Sequence, residues 1–296
     1  MNAALRIGGL ACCMYVATLF GEGIVEGPRL GYVGSPAGVR GVLGLVGASR
    51  LTAPIEIKLK QATVLPGSDF VAGVDEAGML VRGNLRDGTS ASLGVEGVVS
   101  IHVSPGGEVI LAQTSTGIVL LSDSGAKLAS YDVPGAPLRL ATADAGNTLA
   151  LTIADAQGEA LYVISGQGAQ RIFSAASIPA IAFAPGSREL LVANSEGEIF
   201  RIQPDLQMSP VGKVPGTKAL AYTGNRALAV TGPKIHALPI DGSPGTVLEC
   251  PCDAAAAQPL GGLRFLLSSP GSGPMWLLDA SSDELRVAFI PGAVDE

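Results

Sequence analysis

Between Ile178 and Gln203 the chain reads IPAIAFAPGSRELLVANSEGEIFRIQ, three short apolar runs (IAFA, ELLVA and EIFRI) separated by two polar turns. Pro185-Gly186 marks the first turn, and Asn194 with Gly197 marks the second. Apolar runs this short, bounded by Gly, Pro and Asn, predict strands, and turns this tight predict antiparallel neighbours. The stretch reads as a three-stranded meander.

The pattern recurs along the chain. The NSEG turn before EIFRI has counterparts in DEAG before MLVRG, TSTG before IVLLS, DAQG before EALYVI, TG before PKIHAL and SPGSG before PMWLL. Turn glycines fall at Gly78, Gly117, Gly158, Gly197, Gly232 and Gly273, with spacings of 39, 41, 39, 35 and 41 residues. Glycine is expected there because a tight hairpin holds a central residue at φ > 0. A fourth strand is predicted after the third in KLASYDV (127–133), QRIFSA (170–175), SPVGKV (209–214), TVLECP (246–251) and LRVAFIP (285–291). Units then run approximately over 56–95, 96–135, 136–176, 177–215, 216–252 and 253–292.

Four-stranded units with a period near 40 residues and no helical period between them predict an all-β fold, a β-propeller. Residues 29–47, RLGYVGSPAGVRGVLGLVG, read as a further hairpin before the first full unit. Seven blades with one incomplete is the favoured count, and six blades with an appended hairpin is the alternative. An outer-membrane barrel demands aromatic girdles and longer alternating strands. A β-sandwich pair does not predict a constant period.

The turn between first and second strands repeats too: APGSRELLVA (184–193) aligns with SPGGEVILA (104–112) and ADAGNTLAL (143–151). Over most of residues 56–292 these pieces resemble the SPDG-x-x-L turn of WD40-like, TolB-like and YVTN-type β-propeller repeats. Gly106 and Gly186 stand where that motif has Asp, no Trp-Asp dipeptide occurs, and Trp276 is the single tryptophan. The resemblance implies a propeller without selecting a functional family. Propellers of this class include binding scaffolds, and also lactonases, hydrolases and lyases with a metal or an acid/His cluster at the channel mouth.

Composition narrows the class further. With 47% apolar and 15% charged residues the chain is not disordered, and 40 Gly with 20 Pro break it too often for long helices. Aromatics are scarce at 4%, so Ala, Val and Leu are expected to fill the core. A formal net charge of −7 without a Lys/Arg cluster argues against nucleic acid as a partner.

The N-terminus reads separately. MNAALR supplies one arginine, IGGLACCMYVATLF is uncharged, and GEGIVEG turns polar, the order of a secretory signal peptide over residues 1–23. The apolar run is shorter than the roughly 20 residues of a membrane span. An uncleaved anchor, a buried native segment, or a lipoprotein at Cys12 or Cys13 are the alternatives. Residues 24–296 are then one exported propeller domain, periplasmic or extracellular, with no stable membrane span once the signal is removed.

Candidate chemistry is sparse. The sequence has no G-x-S-x-G elbow, P-loop or H-E-x-x-H, and GEGIVEG (21–27) reads as spacer. His102, on the first strand of its unit, is placed at the central channel and is the one candidate base. His236, on a third strand, is placed away from it. Cys250 and Cys252 flank Pro251, and in a flat strand residues i and i+2 lie about 6.6 Å apart with parallel side chains, which disfavours pairing. A bent loop still allows it. Asp75, Glu76, Asp155, Glu159, Glu196 and Glu198 cluster at turns expected on one face of the ring, where they read as solvated acids or as a shared acidic rim. No catalytic, cofactor or metal residue is assigned. The expectation is a non-catalytic module binding a protein or small-molecule partner, with a hydrolase- or lactonase-like propeller enzyme as the alternative.

Overall fold

The computed structural model describes residues 27–292, apart from 36–37, 134, 146 and 269–273. The signal-like segment 1–23 and the turn glycine Gly273 lie outside the described residues.

Strands form wherever an apolar run is bounded by turn residues, and each sheet is built from consecutive strands. The first sheet has three: β1 (Arg29–Ser35), β2 (Gly38–Leu45) and β3 (Ala48–Leu51). The second comprises β4 (Gln61–Val64), β5 (Phe70–Val74), β6 (Met79–Asn84) and β7 (Ser90–Glu96). The third comprises β8 (Val98–Val103), β9 (Val109–Thr114), β10 (Ile118–Ser122) and β11 (Lys127–Tyr131). The fourth comprises β12 (Pro137–Thr142), β13 (Leu149–Asp155), β14 (Gly158–Ser165) and β15 (Gly168–Ala175). The fifth comprises β16 (Ala180–Phe183), β17 (Leu190–Ala193), β18 (Glu198–Ile202) and β19 (Met208–Lys213). The sixth comprises β20 (Ala219–Thr223), β21 (Arg226–Val230), β22 (Lys234–Pro239) and β23 (Thr246–Glu249). The seventh comprises β24 (Gln258–Gly261), β25 (Arg264–Leu266), β26 (Met275–Asp279) and β27 (Arg286–Ile290).

The seven sheets stand as blades around a central channel, the β-propeller that the 40-residue period predicts. The hairpin expected at 29–47 is a blade of three strands. After β3 the chain stays beside β2, with Thr52 N donating to Gly41 O at 2.9 Å and Ile55 N to Val39 O at 2.7 Å. Ile55, Ile57 and Leu59 then pack against Val64, Val71 and Leu85 of the second blade, while Glu56 faces outward. This alternating segment reads as a strand by its pattern, yet it joins no ladder beyond the single bridge at Ile55.

Second strands are buried on both faces, as LLVA of β17 is throughout, and so read as unbroken apolar runs. Fourth strands such as β15 are mostly exposed and carry the polar residues. Core clusters lie between blades rather than within them: Leu161, Val163 and Ala150 of the fourth blade meet Phe183, Leu190 and Ile202 of the fifth. Each fully buried Leu, Ile or Phe in such a seam contributes about 1.5–3 kcal/mol. The turn glycines have two causes. Gly78, Gly158, Gly197 and Gly232 adopt positive φ as expected. At Gly117 the requirement is space, since a Cβ there would sit 2.6 Å from Tyr131 O.

The ring closes without strand exchange, because β1 lies beside β4 on one side and β24 on the other. Leu30, Val33 and Val42 of the first blade pack against Leu260, Leu277 and Ile290 of the last. Within the ring, Asp144 links three blades through the turns between first and second strands. Its carboxylate is 5% exposed and accepts Gly106 N at 2.8 Å and Gly186 N at 2.7 Å. A Cβ on Gly106 would lie 2.8 Å from Asp144 Oδ2, so the glycine is what admits the carboxylate.

Replacing Asp144 with Ala leaves both turn amides to water and costs about 1–3 kcal/mol. In urea unfolding the midpoint is expected to fall at unchanged slope. The exposed turn acid Asp123, replaced the same way, is expected to change stability by less than about 0.5 kcal/mol. An Asp144→Ala midpoint equal to wild type contradicts the staple.

Candidate functional site

The inner strands end in a cavity of about 300 Å³ at one mouth of the channel. Thr63, His102 and Gln258 bring polar groups to its wall, Thr142 and Tyr222 line it with their hydroxyls buried, and Ile101, Leu140, Ile181, Phe183 and Leu220 make the rest apolar. Pro105, Pro185 and Gly262, from the turns between first and second strands, form its rim, and Pro66 is buried behind it. A proline there presents a rigid apolar edge with no N–H to satisfy. No carboxylate or cysteine lines the cavity. Among the described residues no group of three or more His, Cys, Asp or Glu comes together.

His102 is where the strand pattern places it, half-buried in the channel wall on β8. Ser100, two residues earlier on the same strand face, has its Oγ 3.3 Å from His102 Nε2 and donates its proton to Gln113 Oε1 at 2.8 Å. Which of His102 Nε2 and Ser100 Oγ donates to the other depends on the imidazole tautomer. Burial pushes the His102 pKa below its ordinary value, because desolvation penalises the imidazolium. Tyr222 is 2% exposed, its hydroxyl has no hydrogen-bond partner among the described residues, and burial raises its pKa well above the usual phenol range. It stays a neutral phenol. The wall offers dipoles and apolar surface.

The turn acids do not form a free acidic rim. Asp75 accepts Ala77 N and Met79 N, both at 2.9 Å, and caps its own turn. Asp155 pairs with Arg171. Glu159 accepts Arg139 Nη1 at 2.9 Å, Ser177 Oγ at 2.9 Å and Ile178 N at 3.1 Å, tying the fourth blade to the chain entering the fifth. Glu198 accepts Asn194 Nδ2 at 2.9 Å. Glu76 and Glu196 are left exposed at their turn tips. The period showed that these acids share a face, but their partners come from other strands and were not legible.

His236 lies on β22, away from the channel, with its pKa lowered by burial and then by Lys234. Cys250 and Cys252 form a disulfide with Cα atoms 5.0 Å apart. The flat-strand geometry that disfavours such a pair does not apply, because β23 ends at Glu249 and the chain bends. Cys250 N donates to Pro233 O at 2.7 Å and Ala254 N to Gly232 O at 3.0 Å, which hold the bent loop.

No protein-family model matches the chain, and no curated protein matches it in sequence. Solved structures do match in shape. The chain is similar to the WD40 repeats of RRP9, at 12% identity and TM-score 0.55, covering 84% of this chain and 86% of that one. It is similar to the β-propeller domain of Cps50 (Swd1) from Myceliophteria thermophila, at 13% identity and TM-score 0.55, covering 81% and 89%. It is also similar to PorZ from Porphyromonas gingivalis, at 11% identity and TM-score 0.57, covering 91% of this chain and 39% of PorZ. At such identities these similarities establish the fold, a WD40-like β-propeller.

The buried His102 makes stability depend on pH with a definite sign. The unfolded chain takes up its proton as pH falls through about 6.5, while the folded wall resists. Stability is therefore expected to fall from about pH 6.5 down to the lowered folded pKa, with no contribution from this group above that window. His236 contributes with the same sign, so the comparison is between wild type and His102→Phe. Urea midpoints at several pH values check it: the variant is expected to lose less stability on acidification, and an equal loss contradicts the assignment.

Proposed function

We propose that this chain is an exported, non-catalytic propeller that binds a protein or small-molecule partner at the channel mouth bounded by Pro105, Pro185 and Gly262. The observation that carries the reading is the cavity itself. It is concave and mainly apolar with a few polar groups, the ordinary make-up of a binding pocket. The one histidine in its wall has Ser100 beside it, and that hydroxyl is directed to Gln113 Oε1 at 2.8 Å.

Two observations support export. The first 23 residues have the order of a signal peptide. PorZ, which shares the fold, is described as a bacterial surface component of the type-IX secretion system. Among the described residues no helix is long and apolar enough to cross a membrane. A protein partner fits the proline rim, because rigid apolar edges lose little entropy on docking.

Capture from envelope extracts tests this reading when wild type is run beside Pro185→Arg at the rim and Val247→Arg on the outer strand β23. The expected result is a specific partner or small molecule, identified by mass spectrometry, retained by Val247→Arg and reduced about tenfold or more by Pro185→Arg. Capture insensitive to Pro185→Arg, or no capture beside turnover of an ester or lactone, contradicts it.

A further inference from the structure

A second cavity, of about 520 Å³, opens between the fourth and fifth blades and shares Phe183 with the wall of the channel cavity. Four turns build it: 147–148 before β13, 165–167 before β15, 188 before β17, and 203–206 before β19. Its floor is apolar, from Val163, Phe183, Leu190 and Ile202. Its walls carry the side chains of Asn147, Gln167, Gln170, Arg188 and Gln203. None of these five side chains makes a hydrogen bond or ion pair among the described residues, although many polar side chains nearby are partnered.

One edge of this cleft is also strained. Leu206 has φ 69°, the one non-glycine at positive φ among the described residues. A leucine there lacks the side-chain hydrogen bonds that ease Asn or Asp into this region. Leu206 N donates to Gln203 O at 2.8 Å, Gln203 N to Gln207 O at 2.9 Å, and Gln207 N to Asp205 Oδ1 at 3.1 Å. These bonds hold the turn while the Leu206 side chain packs on the floor cluster. A glycine would fit this backbone without cost and would leave the wall open. Backbone strain of this kind clusters at ligand clamps.

We propose that this cleft is a second binding site, for an extended peptide segment bearing a carboxylate. Amide side chains present a donor and an acceptor side by side and so match the alternating N–H and C=O of an extended peptide. The guanidinium of Arg188 matches a carboxylate through two parallel hydrogen bonds. Asp205 on the same rim selects a single carboxylate over a polyanion. A sugar is a poorer fit, because the one aromatic in the lining, Phe183, is 2% exposed and offers no stacking face.

The test is a titration of the isotopically labelled full chain, read by NMR at the side-chain amides of Gln167, Gln170 and Gln203 and at Arg188 Nε. The probes are the C-terminal amide N-acetyl-alanyl-valyl-seryl-glutamyl amide, whose one carboxylate is the glutamate side chain, its uncharged analogue N-acetyl-alanyl-valyl-seryl-glutaminamide, and trigalacturonate. The acidic peptide is expected to shift these signals saturably and to bind about tenfold more tightly than the neutral one, the worth of one charge-assisted pair. Arg188→Gln, an exposed change with no partner to orphan, is expected to abolish that preference and leave the folded spectrum intact. Absence of saturable shifts, equal binding of the two peptides, tighter binding of trigalacturonate, or shifts confined to His102 and Tyr222 each overturns the proposal.

Discussion

Every surface on this protein depends on closing a ring of blades that share no strand across the join. Each sheet is made from consecutive strands, so among the described residues the first blade and the last share no ladder: Leu30, Val33 and Val42 pack against Leu260, Leu277 and Ile290, and Arg264 Nη1 donates to Leu30 O at 3.4 Å. Apolar contact is non-directional, and what makes it specific is the dense interdigitation of buried side chains. The inner edge adds directed bonds: Gly67 N reaches Leu260 O at 3.2 Å from the second blade to the seventh. Asp144 performs a similar task for the third, fourth and fifth blades. Together these contacts fix the turns that surround the channel mouth.

That arrangement explains why the sites lie where they do. Turns between first and second strands are pulled inward by the closing bonds, and they present prolines and glycines as a narrow apolar rim. Turns between third and fourth strands lie outside those bonds, and between the fourth and fifth blades they join the outer ends of two first-to-second-strand turns, at 147–148 and 188, to form a polar cleft. The acids at the turns between second and third strands are spent on capping and on ties between blades, so that face does not display a coherent charge. A fold with one repeated unit thus yields three differently furnished surfaces, because the residues between its strands differ.

Much of the architecture was legible because it is local. A turn glycine before each third strand, and an unbroken apolar run for each second strand, are properties of a few adjacent residues, and five predicted fourth strands overlap β11, β15, β19, β23 and β27. What escaped depends on residues far apart. Asp144 lies in ADAGN and reads as an ordinary turn residue, yet its partners are 38 and 42 positions away. The loss of Asp from the turns at Gly106 and Gly186 gains meaning only when the neighbouring carboxylate is seen to serve both. The pairing of Cys250 with Cys252 turned on where β23 stops, at Glu249, before either cysteine that a flat-strand argument would have to include. The cleft at Arg188 was invisible for the same reason, since four turns from two blades contribute to it.

Native-state hydrogen exchange across the described strands tests this closure most directly. If no shared strand joins the ends, amides of β1, β2 and β24 open together, at a lower free energy than those of β9, β13 and β17 in the stapled middle of the ring. Seam amides protected as strongly as those middle strands would contradict closure without a shared strand.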